Sequence, residues 1–258
     1  MRTGLGNLPQ ANFEATGRGG KKSLTVFRCN LRPSLKISAK GSMVACLHLG
    51  IAAFVGIAAL EFESANPTII KSIKQRDLLN TWLRLYSRAQ LLPRIKEYQP
   101  ARIEEELPDL VFLTVENAQP PRLMIESDGT RMSIAYGTRG AGRYLDEYLG
   151  TRLAPLIMPI YYECLSRALP VYTIANVDDS FGRIVAYERL LLPFSAGSGV
   201  THVIASLKTI SEDGGFEIRN LMRGNDSLPM VKRCAVIDRD LFHRAPSRIP
   251  AGDQIEFN

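Results

Sequence analysis

Three runs in the second half of the chain constrain its fold most: Val171 to Val177, Ile184 to Phe194 and Thr201 to Ile210. Each is rich in β-branched and aliphatic residues. The breaks between them are short and made of turn formers, Asp178-Asp179-Ser180-Phe181-Gly182 and Ser195-Ala196-Gly197-Ser198-Gly199. Connections this short join antiparallel neighbours, because a parallel crossover needs a dozen residues or more. Upstream, Asp109 to Val115 and Arg122 to Glu126, separated by Pro120-Pro121, predict a hairpin. Between the hairpin and the last three strands, Ser127-Asp128-Gly129 breaks the chain and short helical pieces run to Gly137. A helix then spans Leu153 to Leu169, with Leu156, Ile160 and Cys164 on one side. Pro155 falls in its first turn, and the deeper Pro159 predicts a kink or a late start. The order is strand, strand, helices, strand, strand, strand. That order is α+β: a five-stranded antiparallel sheet with helices on one face.

An amphipathic helix precedes this unit. Asn66-Pro67 is read as its N-cap and first turn. Leu78, Leu79, Trp82, Leu85, Tyr86 and Ala89 recur at three- and four-residue spacing, and Pro93 stops the helix. Such a stripe packs on its own sheet or pairs with a second chain. Leu78, Trp82 and Leu85 are the candidate interface residues for the second case. Pro100 to Leu107 reads as a helical turn, with Glu104-Glu105-Glu106 as a solvated face.

The net charge of +6 is unevenly placed. Residues 1–42 hold eight of the 32 basic residues and a single acid, Glu14, which leaves 24 basic against 25 acidic residues in the remainder. The basic character therefore belongs to a leader rich in Gly and Ser that reads as disordered, and the rest offers no global attraction for nucleic acid. Met43 to Leu60 is an uncharged run at the lower end of bilayer-spanning length. It reads as a single-pass signal anchor in an inner membrane, or as a buried apolar helix. The anchor reading puts the leader in the cytoplasm and the main domain across the membrane, and makes the chain a membrane-tethered adaptor with no ligand. The chain so divides into a leader (1–42), an apolar segment (43–60), a domain with its flanking helix (66–212) and a tail (213–258) with one short element around Met230 to Ile237.

Four local motifs come in a telling order: Leu78-Leu79-Asn80-Thr81-Trp82, Leu107-Pro108-Asp109-Leu110, Gly142-Arg143-Tyr144-Leu145-Asp146-Glu147, and Glu188 to Ser195. In these, and in its element order, the chain resembles the stand-alone PAS domains of alphaproteobacteria over about residues 70 to 212. The resemblance implies a PAS-like sheet, a cytoplasmic home, and a sensor or docking module of bacterial signal transduction. It also implies a small metabolite or a protein as partner, and homodimers formed through the N-terminal helix.

A PAS sheet that curls over its helices often leaves a small cavity, so the faces of the strand Ile184 to Phe194 matter. Val185, Tyr187, Arg189 and Leu191 share one face; Ala186, Glu188, Leu190 and Leu192 share the other. Whichever face points inward brings a charge with it. An inward Glu188 or Arg189 needs a partner or a ligand; the plainer alternatives are an internal ion pair or snorkelling to the edge. Tyr187, Glu188 and Arg189 are therefore the candidate ligand-binding residues, with Tyr144 at the link into the long helix and Cys164 on it.

The cofactor stays unknown. LOV-type flavin chemistry needs a reactive cysteine in an Asn-Cys-Arg-Phe motif, which the chain lacks, and haem needs an axial ligand such as a His on the long helix, where none stands. Cys164 reads as inert core before it reads as a chromophore or redox thiol. Cys29, Cys46, Cys164 and Cys234 form no C-x-x-C pair, and His48, His202 and His243 are scattered, so no metal site is expected. Gly137, Gly140 and Gly142 are turn glycines without a phosphate-loop frame. No catalytic signature is present, and no output domain fits the remaining residues. The module is expected to act through binding and not as an enzyme. The enzymatic alternative would rest on Glu188 or Asp146 as general base.

Overall fold

The five strands expected from alternation and turn chemistry form one sheet, and two further strands join its edge. The computed structural model describes residues 60–238 except 90, 198, 212–213 and 224–227. The leader, the apolar run as far as residue 59, and the end of the tail lie outside the described residues. The strands are β1 (Glu63–Ala65), β2 (Leu110–Glu116), β3 (Arg122–Asp128), β4 (Val171–Asp178), β5 (Ile184–Phe194), β6 (His202–Ile210) and β7 (Met230–Ile237). The helices are α1 (Ile73–Ala89), the single turn α2 (Ile103–Glu106), α3 (Thr130–Tyr136) and α4 (Leu145–Arg167). Among the described residues no helix is long and apolar enough to cross a membrane.

The sheet order is β1-β7-β4-β5-β6-β2-β3. Within it, β4-β5-β6-β2-β3 is antiparallel throughout, with α3 and α4 inserted between β3 and β4 in sequence. The expected short element of the tail is β7, antiparallel to β4. Strand β1, three residues long and not foreseen, pairs with β7 in parallel, so the sheet is mixed.

Both faces of the sheet are covered, and this is what creates the site. On one face α3 and α4 pack Met132, Tyr148, Ile157 and Tyr161 against Val111, Val185, Leu191 and Val203. On the other, α1 packs Leu78, Leu79, Trp82 and Tyr86 against Leu110, Tyr172, Leu190 and Phe194. Burying one such large side chain contributes about 2 kcal/mol. Trp82 adds direction, since its Nε1 donates to the Pro193 carbonyl at 2.7 Å, which fixes the rotation of α1 over β5.

Several local expectations change. Asn66 and Pro67 do not begin α1. Asn66 Oδ1 accepts from the Thr68 backbone N–H at 3.0 Å to open a 3-10 turn over Pro67–Ile69, which ends because Ile70 turns extended. Helix α1 starts only at Ile73, where the Ser72 hydroxyl accepts from the Gln75 N–H. The long helix begins earlier than Leu153: a first turn runs from Leu145, and Gly150, at φ 71° and ψ 177°, breaks it before the main body. That conformation favours glycine. Pro155 and Pro159 both lie in the body that follows. Glu104 and Glu105 are exposed as expected, but Glu106 is buried, paired to Lys74 at 3.0 Å and Lys208 at 2.5 Å.

Candidate functional site

Strand pleating puts Tyr187 and Arg189 under α3 and α4 and turns Glu188 toward α1. Because both faces are covered, neither charge reaches water: Arg189 is 4% exposed and Glu188 1%. The two plainer outcomes, an internal ion pair or snorkelling to the edge, are not what forms. Neither residue enters a salt bridge among the described residues.

Arg189 sits in the middle of the sheet, opposite Thr173 on β4 and Leu207 on β6, with Cys234 beyond Thr173 on β7. Tyrosines close over it. The guanidinium carbon lies 5.2 Å from the ring centre of Tyr187 and 5.8 Å from that of Tyr161. Guanidinium–π attraction offsets part of the desolvation. Burial works against the charge, yet the oxygens of Tyr187, Tyr161 and Tyr136 outweigh it and raise the arginine pKa. The same burial pushes Tyr136 and Tyr161 well above the ordinary tyrosine value, so they stay neutral. Among the described residues Arg189 Nε and the Tyr187 hydroxyl have no partner in strict hydrogen-bond geometry, although the Tyr187 hydroxyl lies near enough to Arg189 and Tyr136 to act on both. Tyr136, Tyr161 and Tyr187 also line a cavity of about 20 Å³, walled otherwise mostly by apolar side chains such as Met132, Leu149 and Ile157. Asp128 lies at this cavity too, with its oxygens taken up by the Ser133 hydroxyl and the backbone N–H groups of Gly140 and Ala141.

The opposite face holds a second polar group. Gln75 Nε2 donates to the carbonyls of Ser206 at 3.0 Å and Glu188 at 3.4 Å. Among the described residues Gln75 Oε1, Glu188 Oε2 and Ser206 Oγ are buried without a partner in strict hydrogen-bond geometry, and the Tyr172 hydroxyl lies beside the Glu188 carboxylate. A larger groove of about 750 Å³ runs between α1 and residues 100–106. Lys74, Asp77, Arg84 and Arg88 line it with side chains that reach solvent, so it lacks the enclosed, unsatisfied character of the tyrosine cluster.

The other candidates are dispersed. Tyr144 stands at the rim, where its hydroxyl donates to Glu116 at 2.9 Å and the Arg122 guanidinium lies 3.5 Å over its ring. Asp146 is bound to the same Arg122 at 3.1 Å. Cys164 is fully buried on α4, and burial pushes its thiol pKa up, away from reactivity. Burial also pushes Cys234 up to about 11, against the lowering effect of the nearby Arg189 charge. Leu78 and Trp82 belong to the core between α1 and the sheet, while Leu85 is half-buried. The sequence reading therefore finds Tyr187 and Arg189 together but misses Tyr136 and Tyr161. The signal for Tyr161 is a hydroxyl-bearing ring one residue from Ile160, on the apolar stripe of α4.

A family model described as a PAS domain matches residues 70–207. No curated protein and no solved structure matches the chain.

Proposed function

The chain belongs to the PAS domain family, and from that premise we propose that it is a sensory or regulatory binding module of bacterial signal transduction. It recognises a small molecule or a protein partner, and reports the event as a shift in the population of its helix arrangements. It works by binding and not by chemistry. Of the two carboxylates that would serve as a general base, Glu188 is sealed from solvent beneath α1, and Asp146 is held by Arg122 at the rim. The setting we propose is cytoplasmic.

The observation that carries the reading is Arg189, buried among tyrosines and in no salt bridge among the described residues, beside the Tyr161 and Tyr187 rings that line a small cavity beneath α4. A fold that keeps an unpaired charge there is less stable than one with an apolar side chain in its place. Such a group persists where it has a binding role. Helix α4 lies over the cluster, so occupancy of the cavity bears directly on how α3 and α4 sit on the sheet. Dimerisation through α1 is the second element of the proposal: Leu85, half-buried at the margin of the packed stripe, is the residue through which it would run.

Thermal-shift screening of a metabolite panel, together with affinity capture from host lysate, tests the reading. Stabilisation by a metabolite or recovery of a specific partner is expected. If neither appears, the module assignment fails.

A further inference from the structure

We infer that the chain forms an antiparallel two-fold dimer in which the outward ridge of α1, Ile73, Asp77, Asn80, Arg84 and Arg88, packs against the same ridge of a second copy. The inference rests on the α1 dimerisation proposed above and specifies its face and direction.

Three features carry it. The first is the ridge itself. Leu78, Leu79, Trp82 and Tyr86 commit one side of α1 to the sheet. Residues 73, 77, 80, 84 and 88 recur at three- and four-residue spacing and so share another side; all of them are exposed. Ile73 opens the helix at 68% exposure, and Leu91, just past its end, is 69% exposed. Apolar groups therefore stand at both ends of a polar ridge. The second is the order of the charges. Asp77 lies toward the start of the helix, Arg84 and Arg88 toward its end. None of the three enters a salt bridge among the described residues. Asp77 and Arg88 are about 16 Å apart along the axis, about twice the screening length at physiological salt, so neither neutralises the other within one chain. Arg84 and Arg88, one helical turn apart, repel each other on a lone helix. Turning a second copy end for end answers both. The register that brings Ile73 to Leu91 of the second copy also sets Asp77 beside its Arg88 and Asn80 opposite its Arg84. A parallel partner would set Asp77 on Asp77 and arginine on arginine. The two-fold makes each contact twice, so one charge order serves both halves. The third is the groove. The ridge residues line the groove of about 750 Å³ whose other wall comes from the 100–106 segment. Each ridge thus has a seat beside the other. At this groove Leu78 and Leu83 are apolar and buried, Lys74 and Glu106 are bound to each other at 3.0 Å, and Arg102 and Glu105 add one charge of each sign.

The test follows the oligomeric state of the full chain by sedimentation equilibrium. The wild type is expected to dimerise, and to do so more weakly as NaCl rises from about 50 to about 500 mM. The double variant Arg84→Glu/Arg88→Glu makes the ridge acidic throughout, and Asp77→Lys makes it basic throughout. Each is expected to weaken dimerisation about tenfold or more. An equimolar mixture of the two is expected to regain wild-type affinity as a heterodimer, since each copy again meets the opposite sign at both contacts. Undiminished dimerisation of either variant alone, or a mixture of folded variants that does not recover, overturns the inference. A wild-type dimer that ignores both reversals but falls apart in Leu85→Glu overturns the antiparallel ridge and leaves dimerisation through α1 standing. A wild-type chain that stays monomeric to about 100 μM removes both, while the binding-module reading stands. The salt series uses the wild type alone and decides the matter even if a variant does not fold: a dimer indifferent to salt overturns the ionic pairing.

Discussion

Glu188 and Arg189 are consecutive on β5 and face opposite sides of the sheet, each buried and neither in an ion pair among the described residues. A single strand thus delivers a negative group beneath α1 and a positive group beneath α4. The pleat keeps them apart, and the helices on either side keep both from water. Each charge is left to the chemistry of its own layer: the Tyr172 hydroxyl beside the Glu188 carboxylate, and Tyr187 and Tyr161 around Arg189.

Unfolding of Arg189→Met measures what the charge does to the fold. An unpaired buried cation opposes folding, and methionine fills a similar volume in the apolar layer. The variant is expected to be at least as stable as the wild type, to within about 1 kcal/mol, by urea titration. A loss above about 2 kcal/mol would mean that the tyrosines fully satisfy the guanidinium.

Trp82→Phe removes the donor to the Pro193 carbonyl while keeping a large ring against Tyr86 and the sheet. The expected loss is about 1–3 kcal/mol, from an acceptor left buried and a smaller ring in the layer. Chemical denaturation checks this, and a neutral result would remove the hydrogen bond as the device that orients α1.

Gly129→Ala is expected to destabilise the hinge between β3 and α3. A Cβ built on Gly129 falls 2.2 Å from the Pro108 carbonyl oxygen and 2.3 Å from that of Leu107. These are backbone atoms, so relief requires the turn after α2 to move. A loss of about 2–4 kcal/mol follows from overpacking against rigid neighbours, read as a fall in Tm.

Acid sensitivity should trace to Asp179. Burial raises its pKa, but the backbone N–H groups of Arg183, Glu217 and Phe181 and the Arg183 side chain outweigh burial and hold it down to about 2. A carboxyl whose folded pKa lies below its ordinary 3.8 stabilises the fold above that value, and the contribution is lost as pH falls toward 2. Glu106, lowered by Lys208 and Lys74 against the effect of burial, acts in the same direction. The urea midpoint is expected to fall with pH over this range, and to fall less in Asp179→Asn. An identical pH profile in the variant would refute the assignment.

The sheet was legible because its signals are local. The apolar run of β5 and the turn residues at both of its ends mark a strand with antiparallel neighbours without knowledge of the rest. Period two also shows that Glu188 and Arg189 must part company. What it does not show is that both faces are covered, because an apolar stripe such as that of α1 reads the same whether it packs on its own sheet or on another chain. The burial of Glu106 depends on Lys208, a hundred positions away, which no local pattern reveals. Strand β1 is three residues long, too short for any periodicity. The tyrosine cluster is assembled from α3, α4 and β5, and only the fold brings those hydroxyls to one guanidinium.

The central claim is that the layer beneath α4 is a ligand site and not merely a polar flaw in the core. Native mass spectrometry of the protein purified from its own host reads this directly. The account predicts a population carrying a small, non-covalently bound ligand in the wild type, absent from Arg189→Met. A wild-type protein at its bare chain mass under conditions that preserve weak complexes, or an adduct retained undiminished in Arg189→Met, would contradict it.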